Sequence, residues 1–80
     1  MSFKNWLRGK SDAEQRVDDL SAHIEQLREE MHNLEAKIAE NRRQGLSTST
    51  YDGMYAQVRR MYAEARAMQQ EALAAWEAER

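Results

Sequence analysis

The sequence contains no cysteine and no proline, and only three of its 80 residues are glycine. Without cysteine, the chain forms no disulfide or thiolate metal site and has no thiol nucleophile. Without proline and with little glycine, few residues interrupt a helix. Alanine, glutamate, glutamine, arginine, leucine and methionine are frequent instead, which is typical of long helices and coiled coils.

Long apolar runs are also missing from the sequence. No stretch has the length of a membrane span or of a signal-peptide core, so we expect a soluble, cytoplasmic protein. The formal net charge of −2 is unevenly distributed, because the first ten residues carry Lys4, Arg8 and Lys10 and no acid. Residues 1–10 are therefore a basic and apolar N-terminal segment on an otherwise acidic chain.

A single apolar stripe predicts a first helix over residues 11–43. Ser11 and Glu14 have the spacing of an N-terminal capping box. Steps of four and three residues separate the members of the heptad seam that follows: Ala13, Val17, Leu20, Ile24, Leu27, Met31, Leu34, Ile38 and Asn41. The a positions hold valine, isoleucine or methionine and the central d positions hold leucine, as in a coiled coil.

Residues 44–49 form the predicted loop and residues 50–79 the second helix. Gly45 suits the left-handed residue that often ends a helix, and Ser49 or Thr50 is expected to cap the next one. The expected inner seam of this helix is Tyr51, Met54, Val58, Met61, Ala65, Met68, Ala72 and Ala75. A second stripe, at intervals of seven, is Tyr55, Tyr62, Gln69 and Trp76. The second helix is thus apolar over a broader face than one neighbouring helix covers.

These features predict an all-α protein, an antiparallel two-helix coiled-coil hairpin over residues 11–80 with the short amphipathic segment 1–10 before it. The expected register pairs larger side chains with smaller ones: Leu34 with Val58, Leu27 with Ala65, and Leu20 with Ala72. Two helices alone bury little apolar surface, so we expect two hairpins to dimerise into a four-helix bundle. A parallel zipper is disfavoured, because two of its three flanking charge pairs would be like-charged.

Metal binding and catalysis have little support in the sequence. His23 and His32 are nine residues apart and point to opposite sides of a helix, so they cannot share an ion. Neither histidine has an obvious hydroxyl partner, and a hairpin offers no enclosed pocket for a substrate. We therefore expect no enzymatic activity, no metal site and no cofactor.

The aromatic stripe of the second helix is the leading candidate for partner binding. Tyrosine, tryptophan and arginine dominate binding hot spots. The candidate partner-binding residues on this helix are Tyr55, Tyr62, Trp76, Arg59 and Arg66. The alternative is that the same edge forms the homodimer interface, and both interpretations make it a contact surface.

The N-terminal segment supplies three further candidate contact residues, Phe3, Trp6 and Leu7. Their spacing puts them on one face of a short helix, beside the cations of the segment. Three interpretations stay open. This face folds back over the open end of the hairpin, binds an anionic membrane surface, or becomes ordered on a protein partner.

The sequence as a whole indicates a small interaction protein. The leading hypothesis is a non-enzymatic adaptor, regulator or inhibitor that presents a helical aromatic face to a protein partner and self-associates. Phage-encoded inhibitors belong to this class of small proteins. The first rival is a peripheral membrane scaffold tethered by residues 1–10. The weaker rival is nucleic-acid binding through the loop-end cluster of Arg42, Arg43, Arg59 and Arg60, which the acidic net charge disfavours.

Overall fold

Two long antiparallel helices pack side by side and make up nearly all of the structure. This computed structural model describes residues 11–79, and no strand occurs among them. Helix α1 is Asp12–Arg43 and helix α2 is Ser49–Glu79. Together they form a rod of 55 × 21 × 14 Å. The predicted all-α hairpin is confirmed, whereas the N-terminal segment lies outside the described residues.

The start of α1 is closed by the residue that the sequence predicts. The backbone N–H of Glu14 donates to Ser11 Oγ at 3.1 Å, which satisfies one of the donors left free at a helix N-terminus. Asp12 and Glu14 also place negative charge in the first turn, where it interacts favourably with the helix dipole.

The end of α1 is a Schellman motif built around Gly45. This glycine has a φ of 73°, in the left-handed region. Its N–H donates to Arg42 O at 3.1 Å, and the N–H of Leu46 donates to Asn41 O at 2.8 Å. The predicted role of Gly45 is therefore confirmed, and the two bonds satisfy carbonyls that would otherwise lack partners.

The start of α2 differs from the prediction, since Ser49 and Thr50 lie within the helix and do not precede it. Thr48 stands directly before the helix, and the N–H of Asp52 donates to its carbonyl oxygen at 2.7 Å. Ser47 Oγ accepts the N–H of Ser49 at 3.3 Å. The hydroxyl of Ser47 therefore satisfies the backbone N–H of Ser49, and the helix begins about one residue before the expected position.

The core is a thin line of side chains between the helices. Its buried members are Val17, Ile24, Leu27, Leu34, Ala65 and Ala72. Leu27 is the most deeply buried, with 2% of its surface exposed, and clusters with Ile24 and Ala65. Val58 and Tyr62 pack against this cluster. The seam of α1 and the pairing of Leu27 with Ala65 therefore agree with the sequence prediction.

The orientation of α2 about its own axis differs from the prediction. The sequence places Met54, Met61 and Met68 in the inner seam, yet between 41% and 48% of each side chain is exposed. Tyr55 and Tyr62 are half-buried instead. A tyrosine ring can cover the core while its hydroxyl bonds to the opposite helix, which a methionine cannot do. The helix is therefore turned toward its tyrosines.

Candidate interaction surface

One long side of the hairpin is held together by polar bonds between the helices, and we call it the tyrosine side. Tyr55 Oη donates to Glu35 Oε1 at 3.0 Å, and Arg28 Nη2 donates to Tyr62 Oη at 3.4 Å. Gln69 Nε2 donates to Ser21 Oγ at 2.7 Å. On each helix the bonded residues are seven apart, so the bonds recur once per heptad along the rod. The aromatic stripe that the sequence assigns to a partner or a second copy therefore bonds to α1 of the same chain.

The two tyrosines of this side have opposite electrostatic surroundings. The hydrogen bond from Arg28 lowers the pKa of Tyr62, and Arg66, 6.0 Å from the ring centre, acts in the same direction. The hydrogen bond to Glu35 raises the pKa of Tyr55. The hydroxyl of each tyrosine is thus already engaged within the chain.

Five of the eight predicted partner-binding residues lie in the described part of the chain. The half-buried ones are Tyr55, Tyr62 and Trp76, and the exposed ones are Arg59 and Arg66. Phe3, Trp6 and Leu7 fall outside residues 11–79. Partner binding by this set stays a prediction, but the structure gives the tyrosines a role in joining the two helices.

The opposite long side carries a row of exposed methionines, and we call it the methionine side. Met54, Met61 and Met68 are 48%, 41% and 44% exposed. At 1.5 Å per residue, their spacing of seven repeats about every 10 Å along α2. Single exposed apolar side chains are ordinary, but three at this interval form a row along one side of the helix. The interval of seven is visible in the sequence, but the heptad pattern predicts an inner-seam position for these methionines.

Two hollows lie in line between the helices on the methionine side. The open-end hollow, of about 320 Å³, is lined by Asp12, Ala13, Arg16, Glu71, Ala72 and Ala75. The central hollow, of about 190 Å³, is lined by Leu20, His23, Met61, Glu64, Ala65 and Met68. Five of the six residues that line the open-end hollow are each seven positions from a residue that lines the central hollow. The two hollows are therefore successive parts of one groove, which we call the methionine groove.

The two walls of the methionine groove differ in charge. The α1 wall contributes Asp12, Arg16 and His23, and the α2 wall contributes Glu64 and Glu71. Within residues 11–79, none of the Arg16, Glu64 and Glu71 side chains makes a hydrogen bond or an ion pair. The groove therefore combines an apolar floor with one acidic wall, on α2, and one wall of mixed charge, on α1, in which Arg16 is opposite Glu71.

Metal-binding, membrane-spanning and nucleic-acid-binding sites have less support among the described residues. No group of three or more metal-ligating side chains occurs among the described residues. Neither described helix is long and apolar enough to cross a membrane. In the loop-end arginine cluster, Arg43 pairs with Glu40 of its own helix, and Arg42, Arg59 and Arg60 are exposed.

Comparison of the chain with protein-family models, with curated proteins and with solved structures finds no match. The functional argument therefore depends on the surfaces of the hairpin themselves.

Proposed function

We propose that this chain is a non-enzymatic protein-interaction module whose contact surface is the methionine side of the hairpin. The observation that carries the proposal is the row of Met54, Met61 and Met68 above an apolar groove. Methionine is flexible and polarisable, and it is frequent on surfaces that adapt to a helix of another protein. This proposal keeps the interaction role that the sequence suggests and moves it from the aromatic edge to the opposite edge.

The tyrosine side is a weaker contact surface for physical reasons. The hydroxyls of Tyr55 and Tyr62 are bonded to Glu35 and Arg28 of α1. A partner that docked there would compete with these bonds for the polar ends of the rings. The methionines, in contrast, lose only water when they are covered, and burial of apolar surface is favourable at roughly 25 cal/mol per Å².

Site-specific photocross-linking tests the proposal. A photoactivatable side chain is introduced at Met61 in the full chain, and at Ala63 as the matched control. Ala63 is exposed and lies about 200° around the helix from Met61. We expect a protein adduct, either a second copy or another protein, from position 61 and not from position 63. Equal yields from both positions, or no adduct from either, would contradict the proposal.

A further inference from the structure

We infer that the occupant of the methionine groove is a second copy of this chain, bound groove to groove with α1 of each copy on α2 of the other. The inference rests on the proposed function, because it names the partner of that same surface. The assembly is a four-helix bundle in which neighbouring helices are antiparallel. The evidence for this occupant is the opposition of Arg16 to Glu71 across the groove, together with the negative charge of the α2 wall.

The polar residues of the two walls lie opposite each other at matching heights along the rod. Arg16 and Glu71 both line the open-end hollow, and His23 and Glu64 both line the central hollow. A twofold axis parallel to the long axis of the rod relates the two copies and keeps each residue at its height. It places the α1 wall of one copy against the α2 wall of the other. Arg16 of one copy then meets Glu71 of the other, and the symmetry produces the same contact twice.

The alternative twofold arrangement, with α1 on α1 and α2 on α2, brings like charges together. Glu64 is the midpoint of α2, so in this arrangement it would lie next to Glu64 of the second copy. Near the two ends of α1, Arg16 would approach Lys37, which has the same heptad position. Like charges that face each other oppose association and select against that geometry. The groove therefore favours the exchange of walls.

The apolar floor is also suited to the exchanged arrangement. In the central hollow, Leu20 belongs to α1, while Met61 and Met68 belong to α2. Exchanging the walls lays Leu20 of one copy against the two methionines of the other, so each branched side chain meets two flexible ones. Covering this hollow removes exposed surface of Met61 and Met68 from water on both copies.

A charge-reversal experiment on the full chain tests the inference. Arg16→Glu and Glu71→Arg are made separately, and self-association is measured by sedimentation equilibrium for each variant and for their equimolar mixture. Each single variant places two like-charged pairs in its own dimer, and we expect the dissociation constant to rise about thirty-fold. In the mixed dimer one contact has both of its charges reversed and the other is the original pair, so association should return to nearly the original strength.

The mixture separates contacts between chains from contacts within one chain. Mixing does not change which residues share a hairpin, so a purely internal effect of Arg16→Glu would persist. Glu29→Arg is the control for the acid, and Arg59→Glu is the control for the base, since Arg59 lies beside Tyr55 on the other long side. Neither control should weaken the dimer. Circular dichroism confirms that every variant is helical.

Several results would overturn the inference. Failure of the mixture to restore association would show that the two walls do not meet between chains. Dissociation by Arg59→Glu alone would move the interface to the tyrosine side. Dimerisation only after removal of residues 2–9 would identify that segment as the occupant of the groove. A monomer that still forms an adduct with another protein through position 61 would refute the second copy and leave the proposed function intact.

Discussion

Tyr55 and Tyr62 occupy equivalent positions one heptad apart, yet their hydroxyls take opposite parts in hydrogen bonding. Tyr62 accepts from the Arg28 cation, whereas Tyr55 donates to the Glu35 carboxylate. A cationic donor stabilises the phenolate, and a carboxylate acceptor stabilises the neutral phenol. The pKa of Tyr62 is therefore lowered and the pKa of Tyr55 raised.

We expect the two tyrosines to lose their protons in order, Tyr62 first, when the pH is raised. Nuclear magnetic resonance of the tyrosine ring carbons measures each titration. The hydrogen bond from Arg28 to Tyr62 stabilises the fold fully at pH values above the pKa that Tyr62 has in the unfolded chain. This stabilisation is lost as the pH falls through the lowered pKa that Tyr62 has in the folded chain. The hydrogen bond from Tyr55 to Glu35 stabilises the fold fully at pH values below the pKa that Tyr55 has in the unfolded chain. This stabilisation is lost as the pH rises through the raised pKa that Tyr55 has in the folded chain.

Arg28→Gln is the control for the titration order. It should raise the pKa of Tyr62, since it removes the cationic donor, and leave that of Tyr55 unchanged. Coincident titration of both tyrosines in the original chain would show that the bonds between the helices do not persist in solution.

Leu27 is the residue on which the core depends most. Leu27→Ala should lower the free energy of unfolding by about 2–5 kcal/mol, because only 2% of this side chain is exposed. Leu46→Ala removes the same atoms from a side chain that is 55% exposed, and should cost less than about 0.5 kcal/mol. Urea unfolding at one fixed protein concentration measures both. Equal losses would contradict the placement of Leu27 in the core.

At the scale of the helices, two glycines with similar surroundings should respond oppositely to alanine. A Cβ added at Gly45 or Gly53 has nothing within 4 Å, so neither substitution creates a clash. Gly45 has a φ of 73°, and alanine there should cost about 1–2 kcal/mol. Gly53 lies within α2, and alanine there should stabilise by about 0.5–1 kcal/mol. The thermal midpoints should move in opposite directions, and a common direction would contradict the Schellman turn.

The two helices also differ in how far their sequences determine their packing. The stripe of α1 is narrow and bordered by polar residues, so only one orientation buries it, and the sequence predicts that orientation correctly. Helix α2 has apolar residues on both sides of the line through Val58, Ala65 and Ala72. Its orientation depends on whether Glu35 and Arg28 of α1 can reach the tyrosine hydroxyls, which no local pattern within α2 specifies.

The candidate site could be found in the sequence only in part. The interval of seven between Met54, Met61 and Met68 is visible in the sequence, and so is their apolar character. Their exposure is a consequence of the orientation of α2, whereas the heptad pattern alone predicts that they are buried. The opposition of Arg16 to Glu71 likewise requires the register between the helices, which places both beside the same hollow.

The hairpin as a whole is a single layer of helices. Its smallest dimension, 14 Å, is only slightly larger than the diameter of one helix with its side chains, which is about 10–12 Å. Stable domains bury apolar faces between two or more packed layers. The groove-to-groove pairing that we propose would supply the second layer, and it would cover the exposed methionines of α2.

Pairing of this kind makes the stability of the fold depend on protein concentration. If folding and association are one step, a tenfold rise in concentration should stabilise the dimer by about 1.4 kcal/mol and raise the thermal midpoint. Circular dichroism melting over a dilution series measures this dependence. Arg16→Glu should melt at a lower temperature at each concentration, and Glu29→Arg should follow the original chain. A midpoint that stays constant on dilution would mean that the hairpin is stable alone, because a monomer's unfolding equilibrium contains no concentration term.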